Sequence, residues 1–93
     1  MKYVIIGIDG PDGPAKRPQY RPEHLARLRA AESQGHLVIA GPFADGSGSL
    51  IVLEAESLAA ARAFAEGDPY FRFGVFARIE VRPFTQVLPA EGT

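Results

Sequence analysis

The chemistry-bearing residues of this chain are two histidines and a few well-placed carboxylates, since it contains no cysteine. His24 ends the run Arg17-Pro18-Gln19-Tyr20-Arg21-Pro22-Glu23-His24, and Asp68 begins Asp68-Pro69-Tyr70. An imidazole can take a proton from a substrate while a carboxylate orients the ring. We predict that His24 and Asp68 form a catalytic pair. The structural alternative is that His24 only begins a helix and Asp68 only ends one.

Further polar and rim-forming residues are candidates for binding a substrate. Arginine guanidinium groups suit a substrate carboxylate because they can donate two parallel hydrogen bonds. Alternatively, Arg17 and Arg21 are solvated surface charges, Tyr70 is a core aromatic residue, and Ser49 only begins a strand. The predicted binding residues are Arg17, Arg21, Gly41, Pro42, Ser49 and Tyr70.

Composition excludes several classes of function. The 93 residues are 46% hydrophobic, which is typical of one small globular domain. A formal net charge of −1 argues against nucleic acid as a partner, because phosphate binding needs a basic surface. The longest apolar run, Tyr3–Ile8, is too short to span a membrane, and we expect a cytoplasmic protein without a signal peptide. The histidine spacing and the lack of a phosphate loop predict neither metal nor cofactor.

Hydrophobic periodicity and the positions of glycine and proline predict the order β-α-β-β-α-β. The domain is expected to span 1–87, followed by a flexible tail at 88–93. Asp9–Gln19 is expected to be a loop because it is rich in proline and glycine. The predicted strands are Lys2–Ile8, Leu37–Ala40, Ser49–Glu54 and Val75–Arg82, and the predicted helices are Pro22–Gln34 and Leu58–Gly67.

This order is that of the ferredoxin-like fold, an α+β fold. Its four antiparallel strands lie in the spatial order four, one, three, two, with two helices on one face. The longer connections then meet at one end of the sheet, which we call the rim; they are 9–21, 41–48 and 68–74. Because long loops on a rigid scaffold often carry function, the rim is where we expect the site. This topology would bring His24 and Asp68 together and leave His36 at the opposite end.

Several short motifs in this order resemble the YciI-like (YCII-related) family of dimeric α+β barrel proteins. The resemblance covers Tyr3 to about Val87. It implies a homodimer with a pocket in which His24 and Asp68 form the catalytic pair, and one relative removes HCl from a chlorinated lactone. The motifs are Arg17-x-x-x-Arg21-Pro22-x-His24-Leu25-x-x-Leu28, Gly35-x-Leu37-x-x-Ala40-Gly41-Pro42, Gly48-Ser49, Asp68-Pro69-Tyr70-x-x-x-Gly74-Val75 and Val81-x-Pro83-Phe84.

The predicted strands also indicate a homodimer without reference to the family. In Lys2–Ile8, Tyr3 and Ile5 alternate with Val4 and Ile6, so both faces of the strand are apolar. Two helices cover one face of the sheet only, and a large exposed apolar face is rare in monomers. Pairing of two open sheet faces would cover it.

The sequence therefore predicts a cofactor-independent lyase or isomerase that acts on a small carbonyl, lactone or carboxylate compound. Two alternatives stay open. One is a non-catalytic dimer that binds or senses a small molecule in the same pocket. The other is a monooxygenase that uses neither haem nor flavin, for which oxygen consumption with a phenolic substrate would be the marker.

Overall fold

The computed structural model describes residues 1–91, which form one four-stranded antiparallel sheet and three helices. The elements are β1 (Lys2–Asp9), α1 (Gly13–Ser33), β2 (Leu37–Pro42), β3 (Gly48–Glu54), α2 (Leu58–Glu66), α3 (Pro69–Arg72) and β4 (Phe76–Phe84). The strand order is β2-β3-β1-β4, which confirms the predicted ferredoxin-like α+β arrangement.

The main core lies between one face of the sheet and the two longer helices. On β1, Ile5 is 2% exposed and pairs in register with Ile51 of β3 and Val81 of β4. Leu28 of α1 and Ala61 of α2 pack into the same buried cluster. Both helices therefore cover the same face. Each fully buried leucine or isoleucine side chain contributes about 1.5–3 kcal/mol relative to exposure.

Helix α1 begins at Gly13, nine residues before the predicted start at Pro22, so the prediction of a loop over Asp9–Gln19 is wrong. Pro14 occupies the first turn, where a missing N–H costs little. Pro18 and Pro22 lie inside the helix, each without the bond to the carbonyl four residues earlier. Pro14, Pro18 and Pro22 are all exposed and are spaced by four residues. The carbonyls of Pro14 and Pro18, which have no N–H donor four residues later, therefore lie on a solvated side of the helix where water can bond to them.

The segment after α2 contains a short helix that the sequence did not predict. Helix α2 itself is confirmed, and its cap is Ser57, whose side chain accepts from the Ala60 N–H. Asp68 then caps α3, because its carboxylate accepts from the Tyr70 N–H. Asp68 thus links two consecutive helices, and its backbone is fixed at the rim.

Strand β4 runs past its predicted end at Arg82 and includes Pro83, which lies opposite Tyr3 of β1. Proline is tolerated there because β4 is at the edge of the sheet, where one side of the strand has no neighbouring strand that needs an N–H donor. Its first residue is Phe76 rather than Val75. On the other edge, β2 extends through Gly41 and Pro42, two residues beyond its predicted end.

Beyond β4, residues 85–91 form neither helix nor strand. The Gln86 amide donates to the carbonyl of Pro89 at 2.8 Å, and Lys2 pairs with Glu91. The domain limit at 87 and the flexible tail at 88–93 stay predictions, and residues 92–93 lie outside the described residues. Within residues 1–91, no helix combines the length and the apolarity that crossing a membrane requires.

Candidate functional site

The first feature of the rim is a buried histidine–aspartate pair. His24 Nδ1 lies 2.9 Å from both carboxylate oxygens of Asp68. The two side chains are 8% and 3% exposed. An ionised carboxylate can only accept, so Nδ1 carries the proton and the lone pair of a neutral ring is at Nε2. α1 supplies the histidine and the junction of α2 with α3 supplies the aspartate.

Asp68 has two partners besides His24. The Tyr70 N–H donates to Oδ1 at 2.8 Å, and Arg27 Nη1 donates to Oδ2 at 3.3 Å. The Arg27 guanidinium also lies 4.5 Å from the centre of the Phe64 ring. Sequence analysis missed Arg27, although its position three residues after His24 on one helix was a usable signal. These contacts fix the carboxylate and compensate its charge.

Tyr70 forms the aromatic wall behind the pair. Its ring stacks on the His24 ring with a centroid distance of 3.9 Å and an angle of 7°, and it meets Phe76 edge-on at 5.5 Å. The residue is 2% exposed, and burial raises the pKa of its phenol above the ordinary value, so the hydroxyl keeps its proton at neutral pH. Tyr70 is therefore both a core aromatic residue and a neutral donor at the rim.

Arg17 belongs to the interior of α1, and the interpretation of it as a solvated surface charge is wrong. Its Nε and Nη2 donate to the two oxygens of Asp9, each at 2.8 Å, and Nη2 also donates to Ser49 Oγ at 3.1 Å. The bonds to Asp9 raise the pKa of Arg17 further. Asp9 was missed because it was assigned to a loop. The signal was the period of β1, since Tyr3, Ile5, Gly7 and Asp9 share one face.

These groups surround a pocket of about 220 Å³. Its polar side carries the two arginines, the serine, the histidine and the tyrosine, and its other side is aliphatic. This combination suits a small ring or lactone with oxygen substituents at one end. The lining residues are Arg17, Arg21, His24, Leu25, Leu28, Ala40, Gly41, Pro42, Ser49, Ile51 and Tyr70.

The structure thus gathers the sequence-predicted residues on one wall or another of the same pocket. Asp68 is the exception, because it lies behind His24 and is not part of the lining. His36 is exposed at the opposite end of the sheet. In the described part of the chain, no three His, Asp or Glu side chains converge as metal ligands.

The sequence is similar to known bacterial proteins over nearly its whole length. A sequence profile of the YCII-related domain matches residues 1–85. Protein YciI of Escherichia coli is 41% identical over 97 residues, and the alignment covers 94% of this chain and 99% of that protein. An uncharacterized protein of Haemophilus influenzae is 37% identical, with the same coverage.

Solved structures with similar folds include two enzymes. One is 5-chloro-2-hydroxyhydroquinone dehydrochlorinase (TftG) from Burkholderia phenoliruptrix AC1100, in complex with 2,5-dihydroxybenzoquinone. It aligns with a TM-score of 0.81 at 28% identity, covering 91% of this chain and 94% of that one. Muconolactone isomerase aligns with a TM-score of 0.70 at 16% identity, covering 100% and 97%, which demonstrates a shared fold alone.

Proposed function

Because the chain belongs to the YCII-related domain family, as its motifs predicted, we propose that it is a cofactor-independent lyase or isomerase. Its substrate is a small carbonyl, lactone or carboxylate compound, and its acid–base group is the pair of His24 and Asp68. The observation that carries the proposal is the bond of His24 Nδ1 to both oxygens of Asp68 at 2.9 Å beside a pocket of about 220 Å³.

In this mechanism, Nε2 of a neutral His24 removes a proton from the carbon next to the substrate carbonyl. The electron pair of the broken C–H bond forms an enolate, and Asp68 stabilises the imidazolium ion. In an elimination, the enolate then expels a leaving group such as chloride with its bonding pair. In an isomerisation, His24 returns the proton to another carbon. General base catalysis of this kind contributes about 10²–10⁴-fold in rate.

Two observations support elimination as the chemistry to test first. The structural relative at 28% identity is named as a dehydrochlorinase, and its structure holds a dihydroxybenzoquinone. The pocket of this chain has the matching character, with Arg17 and Arg21 for the oxygens and Leu25, Leu28 and Ile51 for the carbon skeleton. We therefore propose chlorinated lactones, and chlorinated hydroxyquinols that react through their keto tautomers, as the first substrates to assay, because both then carry a C–H bond next to a carbonyl.

The test replaces each histidine by the same residue. His24→Gln should lower kcat by about 10²–10⁴-fold for any chlorinated substrate that releases chloride, because glutamine cannot take the proton. His36→Gln is the matched control and should keep the wild-type rate, since His36 is exposed at the opposite end. A folded His24→Gln variant with full turnover would eliminate the mechanism.

The same experiment separates the alternative function. A non-catalytic binding or sensor dimer would bind small acids in this pocket, with a raised melting temperature, yet would release no product from any member of the panel. The His24 substitution would then alter binding only.

We also propose that the protein is a homodimer that pairs through the open face of the sheet. The face away from the helices carries Val4 and Ile6 on β1 beside their register partners Val52 and Leu50 on β3. Ile39 of β2, on the same face, is 59% exposed. Sedimentation at micromolar concentration should give about twice the 10.0 kDa chain mass, and a single species at 10.0 kDa would contradict the dimer. The cytoplasmic localisation stays a prediction.

A further inference from the structure

Asp9 is a buried carboxylate that the proposed proton transfer does not use. It is the last residue of β1, on the same face as Gly7, and its side chain is 4% exposed. The first residue of α1 packs directly on it, because a Cβ on Gly13 would lie 2.9 Å from the Asp9 Cβ. The start of the helix therefore covers Asp9 and excludes water from it. A buried carboxylate is costly unless it is fully paired, so its position calls for an explanation.

The partner of Asp9 is Arg17, and the pairing leaves one part of the guanidinium unused. Nε and Nη2 donate to the two carboxylate oxygens at 2.8 Å. The guanidinium carbon lies 5.1 Å from the centre of the Tyr70 ring and 5.8 Å from that of Phe76. The Asp9 carboxylate thus holds one edge of the guanidinium, and the rings of Tyr70 and Phe76 lie near it. Nη1 donates to neither Asp9 nor Ser49, and Arg17 lines the pocket beside Tyr70, whose phenol also interacts with the guanidinium.

Ser49 adds a second donor beside Arg17. Its Oγ accepts from Arg17 Nη2 at 3.1 Å, and the residue is 4% exposed. Because the oxygen accepts from the guanidinium, the hydroxyl proton is directed elsewhere. Among residues 1–91 it has no acceptor, while Ser49 lines the pocket. The pocket wall therefore presents an N–H and an O–H donor that are both fixed through Asp9.

We propose that Asp9 is a positioning residue, which holds Arg17 so that Nη1 and the Ser49 hydroxyl together bind one anionic oxygen of the substrate. This inference rests on the proposed function, since that oxygen is where negative charge develops when His24 removes a proton. Donors that are already oriented stabilise such charge without reorganising during the reaction. Because Asp9 compensates the charge of Arg17, the arginine contributes to binding mainly through correctly oriented N–H donors. The more exposed Arg21 supplies the positive charge that attracts the anion.

The test measures binding, which does not require turnover. The anionic probe is 2,5-dihydroxybenzoquinone, whose acidic hydroxyls are ionised at neutral pH, and the neutral probe is 1,4-dihydroxybenzene. Asp9→Asn and Ser49→Ala should each weaken binding of the anionic probe by about tenfold or more in titration calorimetry, and affect the neutral probe much less. Ser49→Thr keeps the hydroxyl and should restore binding.

A double substitution distinguishes positioning from a purely structural role. If Asp9 acts through Arg17, the Asp9→Asn/Arg17→Gln variant should bind the anionic probe like Arg17→Gln alone. It should also melt at a higher temperature than Arg17→Gln, which leaves a buried carboxylate without its partner.

Three results would overturn the inference: unchanged binding by Asp9→Asn, equal losses for both probes, or no binding of the anionic probe by the wild-type protein at millimolar concentration. The outcome is independent of catalysis, because His24→Gln should still bind the probe. Retained turnover in His24→Gln would remove the proposed function and leave the role of Asp9 standing.

Discussion

Charged clusters lie at both ends of the sheet, and they differ in what surrounds each carboxylate. At the rim, Asp68 and Asp9 have side chains that are 3% and 4% exposed, and each accepts at least two hydrogen bonds. At the opposite end, Glu54 is 40% exposed and pairs with the N-terminal ammonium group and with Lys2. The same kinds of group thus act in different dielectric environments, so removing one partner of a rim pair costs more than removing one partner of the exposed pair.

The size of a cavity does not identify the site in this protein. A groove at the opposite end has a volume of about 560 Å³, larger than the rim pocket, and it is bordered by His36 and Phe64. His36 has no carboxylate against it in the described part of the chain. The smaller pocket is the better candidate because its polar groups converge and are held by buried partners.

The largest expected difference between the two ends concerns stability. Asp68→Ala should lower the free energy of unfolding by about 3 kcal/mol, since it removes the cap of α3 and the shared partner of His24 and Arg27. Glu54→Ala is the matched control and should change it little, because exposed ion pairs contribute little. Urea unfolding measures both values, and comparable losses would contradict the contrast between the ends.

A second prediction concerns the close packing beneath the rim. A Cβ on Gly13 would lie 2.5 Å from the carbonyl oxygen of Val75, whereas a Cβ on Gly41 would meet nothing within 4 Å. Gly13→Ala should therefore lower the free energy of unfolding by about 1–3 kcal/mol, and Gly41→Ala should be nearly neutral. Similar unfolding midpoints for the two variants would show that the start of α1 can shift at no cost.

The smallest expected effect is the acid dependence of the opposite end. Two hydrogen bonds lower the pKa of Glu54, and the one from the N-terminal ammonium group contributes more than the one from Lys2. A carboxylate whose pKa is lower in the folded state stabilises the fold above its unfolded pKa and loses this contribution as the pH falls. The melting temperature of the wild-type protein should therefore exceed that of Glu54→Gln slightly at pH 7, and the difference should shrink between about pH 5 and pH 3. A constant difference across this range would refute the assignment.

The strand order followed from sequence because its evidence is local and repeated. Apolar runs such as Tyr3–Ile8, together with glycine and proline between them, define the strands, and short connections leave few topologies. That topology also predicts His24 beside Asp68. A cap such as Ser57 is likewise visible in the sequence, because the hydroxyl bonds to an N–H three residues away.

The start of α1 did not follow from sequence, and the error had consequences for the site. Prolines at 14, 18 and 22 are evidence of a loop in most chains, and whether a helix tolerates them depends on which face meets water. The loop assignment concealed Asp9 as a buried strand residue and Arg17 as a helical one. The position of Arg27 one turn after His24 is visible in the sequence, but its contact with Asp68 depends on how α1 packs against the junction of α2 with α3, which the sequence does not reveal.

The early start of α1 has a consequence for how this gene can vary in length. One continuous helix carries Arg17, Arg21 and His24, so the angles between them around the helix axis follow from 3.6 residues per turn. A single inserted codon between Arg17 and His24 would rotate one against the other by about 100°. A flexible loop would absorb such an insertion, whereas this helix acts as a fixed spacer that tolerates substitutions on its outer side and no change in its count.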